Sequence, residues 1–355
     1  MSKVRNVNVE ILRIIAMLFI ITHHLVINGL GLQAQLKGEE AIRGNYSLLL
    51  CAINSIVIIG VNIFFLISGY YGIKFSLKKL LRMVLDVYIY GDILILISIA
   101  LGMEKLNIQN IKFLIFPFFK YWFIIVYLML FILSPVINAG MGSISKQKSI
   151  LLVLFLTIVN CIIGYACDIN CLGLNNGYSL IFAMYLYCIG RVMNKHSFYR
   201  FKNAHIWIWL ISTAMTILGC VLMFCMKKYG YAWKLFSYNQ FFIVLASVNF
   251  VYIFFNMSYK KKDNSRFFGI AKHTLPVYYI HTCTIGAFYR DIPLKWAASN
   301  LNTIVQVLFL AVYAIIIYII CMIIDMIKIL LLDRVEKRII IKTDSCINKI
   351  VTYVK

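Results

Sequence analysis

The sequence predicts an all-α, polytopic membrane fold of about ten spanning helices. Three observations lead there. Apolar residues make up 62% of the 355-residue chain and charged residues only 14%, which is more apolar surface than a soluble domain of this size can hide. Runs of about 18 or more nearly uncharged residues recur, and each is long enough to cross ~30 Å of hydrocarbon. With only 4 prolines and no alternating polar and apolar segments, the chain does not read as a β-barrel.

The apolar runs place helices at about 8–29, 48–71, 83–102, 121–138, 149–167, 177–193, 205–226, 238–257, 269–288 and 303–331. No internal repeat, low-complexity tract or flexible linker divides the chain. One domain is therefore expected over 1–355, with a helical core at about 8–331 and a tail at 332–355. The first run carries Glu10 and Arg13 and is followed by no small-residue cleavage site, so it reads as a retained helix rather than a signal peptide.

The formal net charge is +22. The basic residues sit between the apolar runs, so they report topology and not nucleic-acid binding. Segments facing the N-terminal side hold 23 of the 35 lysines and arginines and the opposite segments hold 10. An even number of spans then puts both termini in the cytoplasm. The ten cysteines show no metal-ligand spacing. Cys167 and Cys171 share an outer loop, where they stand either as a disulfide or as two thiols.

The first helix, "EILRIIAMLFIITHHLV", carries ionisable groups that are costly in lipid and are functional candidates by default, the alternative being that Arg13 snorkels to the interface and the histidines cross-bond neighbouring helices. At ~100° and ~1.5 Å per residue, Arg13 and His24 fall on one face about 16 Å apart along the axis, while His23 points about 100° away. Glu10 lies one turn below Arg13 and can pair with it. One stripe thus carries a carboxylate, a guanidinium and an imidazole across much of the bilayer.

This arrangement resembles the membrane-bound acyltransferase 3 family, polytopic enzymes that modify bacterial surface polysaccharides and other glycans. The family's opening helix usually reads D-x-x-R-x-x-A … H, here Glu10, Arg13, Ala16 and His24, with Glu for Asp. The second helix, "GVNIFFLISGYYGIK", is similar to the family's Gly-aromatic, Ser-Gly ending. The fourth, "YWFIIVYLMLFILSPVIN", resembles its Trp-containing helix ending in Pro. The ninth, "KHTLPVYYIHT", matches a Tyr-x-x-His pattern as Tyr278 and His281. The resemblance runs from residue 8 to about 330. One departure stands out: the family's Arg-x-x-Arg after the second helix appears here as Lys79 and Arg82, and lysine lacks arginine's bidentate geometry.

The resemblance implies acyl transfer from a cytoplasmic acyl-CoA, most simply acetyl-CoA, to a sugar hydroxyl of an exported or lipid-linked polysaccharide at a bacterial plasma membrane. The lipid bilayer is then a partner, and neither a metal nor a nucleic acid is expected. His24 is the candidate base or transient acyl carrier. His281 converges on the same level of the bilayer. Arg13 either polarises the thioester carbonyl or holds the donor. Lys78, Lys79 and Arg82 either hold the CoA phosphates or only mark the cytoplasmic side. Asp86 is expected to pair with Arg82 at i, i+4, and Asp92 to line the path, to orient a histidine or to serve packing. Ser68-Gly69 reads as a close-packing point. Trp122, Tyr238 and Asn239 read as an interfacial belt at the outer helix ends. A multi-pass transporter or flippase for a glycan or anion would use the same intramembrane charges, but the repeated halves and matching broken helices expected of one are not seen. A polysaccharide polymerase would need a larger outer loop than the ~18 residues available.

Overall fold

The computed structural model describes residues 6–169, 173–196, 202–257 and 265–353. All regular structure among them is helical, as the composition predicts. Among the described residues, seven helices are long and apolar enough to cross a membrane. Cys171 lies outside the described residues, so the Cys167–Cys171 question does too.

The chain opens with α1 (Val7–His24), which starts where the Asn6 side chain accepts from the Asn8 N–H, a cap that satisfies one of the otherwise unpaired first-turn donors. A π-helical turn, Leu25–Gly29, continues it. A short α2 (Leu32–Lys37) leads to α3 (Asn45–Val57) and α4 (Gly60–Tyr71), which together make the second span. Then follow α5 (Leu77–Ala100), α6 (Ile108–Ile115), α7 (Trp122–Ser143), α8 (Lys146–Thr157) with a π-helical extension to Ala166, and α9 (Leu180–Lys195). The chain continues through α10 (Lys202–Cys225), α11 (Tyr229–Lys234), α12 (Phe241–Phe255), α13 (Ser265–Ala271), α14 (Thr274–His281), α15 (Thr284–Asn300) and α16 (Thr303–Tyr353).

The core is built where small residues let helices approach. A Cβ on Gly69 of α4 would stand 2.1 Å from the Tyr187 carbonyl oxygen of α9, and one on Gly190 would stand 2.3 Å from the Leu66 carbonyl oxygen. Gly60 fits against the Ala16 carbonyl in the same way. Backbones this close maximise packing in a medium where lipid competes for every apolar contact. The Ser68-Gly69 pair is therefore a close-packing point, as expected.

Several expected elements differ; the helix expected from 83 begins at Leu77, after Ser76 in extended conformation. The helix expected at 269–288 is three helices, broken at Lys272–His273 and Thr282–Cys283. Pro276 sits in the first turn of α14, where its missing N–H breaks no ladder bond. The helix expected to stop at Asn138 runs through Pro135 to Ser143. The last helix continues past residue 331 to Tyr353; no proline or glycine interrupts it, and ion pairs to α5 hold its far portion.

Candidate active site

Helical periodicity places the α1 stripe as the sequence requires. Glu10 is buried, and its two carboxylate oxygens accept from Arg13 Nη1 at 3.1 and 3.2 Å. Burying a carboxylate is tolerable because it is paired and hydrogen-bonded. His23 turns away into the protein, its Nδ1 2.6 Å from Asn54 Oδ1 on α3. His24 stays on Arg13's side and is half-buried.

His24 meets His281. His24 Nδ1 lies 3.0 Å from His281 Nε2, and the two rings stack with centroids 5.1 Å apart. The proton positions follow from the partners. His281 Nδ1 lies 2.7 Å from the Val277 carbonyl oxygen, which can only accept. That nitrogen carries the proton, so in the neutral ring His281 Nε2 is an acceptor. His24 Nδ1 then donates to it, which leaves the lone pair of His24 on Nε2. The α14 turn thus fixes the tautomer of both rings. The Tyr278 ring is 5.9 Å from that of His281.

Below the pair, two cavities of about 240 and 750 Å³ share Arg13, Ser68, Tyr127 and Lys272 in their walls. The smaller reaches Ile20 and Tyr278, one turn short of the histidines. The larger opens among Arg13, Lys74, Lys79, Arg82, Lys272 and Lys328, opposed by Asp86, Asp325 and Asp333. Six cations against three carboxylates make a mouth suited to a polyanion.

The expected donor-site residues divide there. Lys79 and Arg82 line the mouth, whereas Lys78 does not. Arg82 is held by Asp333 at 3.0 Å and Glu336 at 3.6 Å, and Lys78 by Asp344 at 3.6 Å. Lys74, Lys79 and Lys272 take part in no ion pair among the described residues.

The expected Asp86–Arg82 pair is not formed. Asp86 accepts from Lys328 of α16 at 2.7 Å, because the buried ammonium offers a better partner than a side chain turned toward the carboxylates of α16. Asp92 lines neither cavity and bonds neither histidine, and one of its oxygens is buried without a partner. Nor do Tyr238 and Asn239 form a lipid-facing belt. Both are buried; Tyr238 packs against Trp122 and Tyr178 at ring distances of 5.7 and 5.0 Å, and Asn239 donates to the Asn160 carbonyl.

The sequence reading missed the groups that anchor α14. Asp325 accepts from Tyr90 through one oxygen and pairs with His273 through the other. His273 is the residue before α14, and His281 ends it. Lys328 lies over the Tyr90 ring at 5.3 Å. The available signal was "DMIK" inside an otherwise apolar run, an intramembrane charge pair that marks function by default.

A family model described as an acyltransferase domain matches residues 6–325, which takes in both histidines, Asp325 and five of the six cations of the mouth, Lys328 lying just beyond it. No curated protein and no solved structure gives a significant match to the chain. With its membrane-spanning helices and with nine-tenths of its length covered by that match, the chain belongs to the acyltransferase 3 family of membrane acyltransferases.

Proposed function

We propose that this protein transfers an acyl group, most simply acetyl, from cytoplasmic acyl-CoA to a hydroxyl of an exported or lipid-linked surface polysaccharide in a bacterial plasma membrane. The observation that carries this reading is the His24–His281 pair standing one turn above a cavity whose mouth gathers six cations.

The chemistry follows from that order. CoA phosphates rest among Lys74, Lys79 and Lys272, and the pantetheine arm rises past Arg13. The ~16 Å from Arg13 to His24 is comparable to the reach of that arm. His24 Nε2 takes the proton of the acceptor hydroxyl as its oxygen attacks the thioester carbonyl. The C–S bond breaks, and the thiolate recovers the proton from the imidazolium, so the base is regenerated. His281 holds the His24 ring and disperses the transient positive charge through its own hydrogen bond to Val277. An acyl-histidine relay would use the same lone pair as a nucleophile.

The test is expression of wild type and His24→Ala in a strain whose surface glycan lacks the modification. O-acyl groups on the purified glycan are counted by proton NMR at matched protein levels. Wild type adds acyl groups and His24→Ala adds none. Purified wild type that neither acylates a glycan nor binds acetyl-CoA would favour the transport reading instead.

A further inference from the structure

A third cavity, of about 310 Å³, lies at the opposite end of α1 from the cationic mouth. Its floor is the π-helical turn and the following strap, Asn28 to Gly31. Its walls carry Glu40 and Arg43 from the segment before α3, and Lys295 and Ser299 from α15.

The place of this groove matters more than its size. Arg13, Met17 and Ile20 line the donor-side cavity, and Asn28 lines the groove. The steps 13, 17, 20, 24 and 28 follow one face of a helix. His24 is therefore the residue of that face between the two cavities, at most about 6 Å along the axis from Asn28. His24 lines neither cavity itself; it stands about one helical turn from Ile20 on the lower side and from Asn28 on the groove side, so a hydroxyl held in the groove and an acyl group in the lower cavity would each have about one turn to span.

The lining has a definite chemistry. It contains an amide, a hydroxyl, backbone carbonyl and N–H groups and three charges, with no aromatic ring among them. Arg43 and Lys295 form no ion pair among the described residues, so neither cation is neutralised by a direct contact. Glu40 is committed to the wall. A Cβ on Gly31, itself at φ +72°, would stand 2.7 Å from Glu40 Oε2, so the carboxylate rests directly on the strap. Among the described residues the lining sums to one positive charge. That matches a single carboxylate and falls short of a phosphate monoester dianion. The Arg43 guanidinium is the natural bidentate partner of such a carboxylate.

We propose that this groove is the acceptor site and that it selects a carboxylate-bearing glycan, with Arg43 and Lys295 holding the sugar acid and Asn28 facing the hydroxyl presented to His24. The use of the groove as an acceptor site rests on the acyl-transfer reading above; its affinity for the anion does not.

The experiment measures binding by fluorescence anisotropy to the full chain in nanodiscs. The probes are fluorescein-labelled tetragalacturonate and fluorescein-labelled cellotetraose, and acetyl-CoA binding is measured in parallel. Wild type binds tetragalacturonate at least tenfold more tightly than cellotetraose. Arg43→Ala/Lys295→Ala removes that preference and leaves acetyl-CoA binding unchanged. Lys227→Ala/Lys228→Ala, in the loop before α11 at the same end of the bundle, leaves it intact and so excludes attraction by general surface charge. Equal binding of the two probes, no binding of either, or a preference that survives Arg43→Ala/Lys295→Ala overturns the proposal. Tetragalacturonate binding without acetyl-CoA binding removes the donor half of the proposed function and leaves the groove standing. Acetyl-CoA binding without tetragalacturonate binding does the reverse.

Discussion

His24 Nδ1 donates to His281 Nε2 across 3.0 Å, and the Val277 carbonyl behind His281 fixes the direction of that bond. On the proposed function the base is therefore a two-ring unit, and its members are not equivalent. His24→Ala removes the lone pair itself and should abolish transfer. His281→Asn keeps a polar side chain but loses the fixed tautomer, and should lower kcat by about 10²–10⁴ with the KM for acyl-CoA little changed. Steady-state kinetics in nanodiscs reads both values.

His23 should behave in the opposite way. Its contact with Asn54 is buried and lies away from both donor-side cavities. His23→Ala should keep most of the transfer activity while destabilising the fold by ~1–3 kcal/mol, the cost of leaving a buried polar partner unmade. Thermal unfolding in detergent, alongside the NMR count of O-acyl groups, separates the two effects. An inactive but stable His23→Ala would mean that the working face of α1 is the other one.

The cations of the mouth should rank by their present occupation. Lys79 and Lys272 form no ion pair among the described residues, whereas Arg82 is engaged by Asp333 and Glu336. Lys79→Ala and Lys272→Ala should each raise the KM for acetyl-CoA several-fold with kcat kept. Arg82→Ala should have the smaller effect on donor binding and the larger one on stability. Isothermal titration with CoA ranks the three directly.

Asp325 touches no reacting atom on this reading and is a positioning residue. Asp325→Asn loosens His273 at the start of α14, and the slack reaches His281 at its end. A fall in kcat with an unchanged affinity for CoA is expected. A purely structural role would lower the yield of folded protein and leave the kcat of the surviving molecules alone.

Gly69 tests the packing. Ala at this position places a methyl 2.1 Å from the Tyr187 carbonyl oxygen, a backbone atom that cannot rotate aside. Gly69→Ala should cost about 1–3 kcal/mol or more and lower the midpoint of thermal unfolding.

The parts of the site that depend on a helix's own period were legible in the sequence. The Arg13–His24 face and the Glu10 pairing need only 100° per residue, and the convergence of His281 needs only its depth in the bilayer. Contacts between distant segments were not legible. Asp86 had a local candidate in Arg82 and found a remote one in Lys328, 242 positions along the chain. Tyr238 looked interfacial by its position at a helix end, but Trp122 and Tyr178 cover it. The clamp on α14 was missed because its members come from three segments far apart in the chain, and only the fold puts Tyr90, His273 and Asp325 around one point.

The long last helix gives the protein its own counter-ions. Asp333, Glu336 and Asp344 already sit against Arg82 and Lys78. If CoA binds here as proposed, it meets a rim partly neutralised by groups tethered to the same chain. A small anion such as inorganic phosphate must win a cation from a tethered rival and has few other contacts to offset the loss. A ligand with several phosphates engages Lys74, Lys79 and Lys272 together and does not depend on that exchange. On the proposed function the tethered carboxylates act as a size filter at the donor entrance, discriminating against small anions while admitting a ligand with several phosphates.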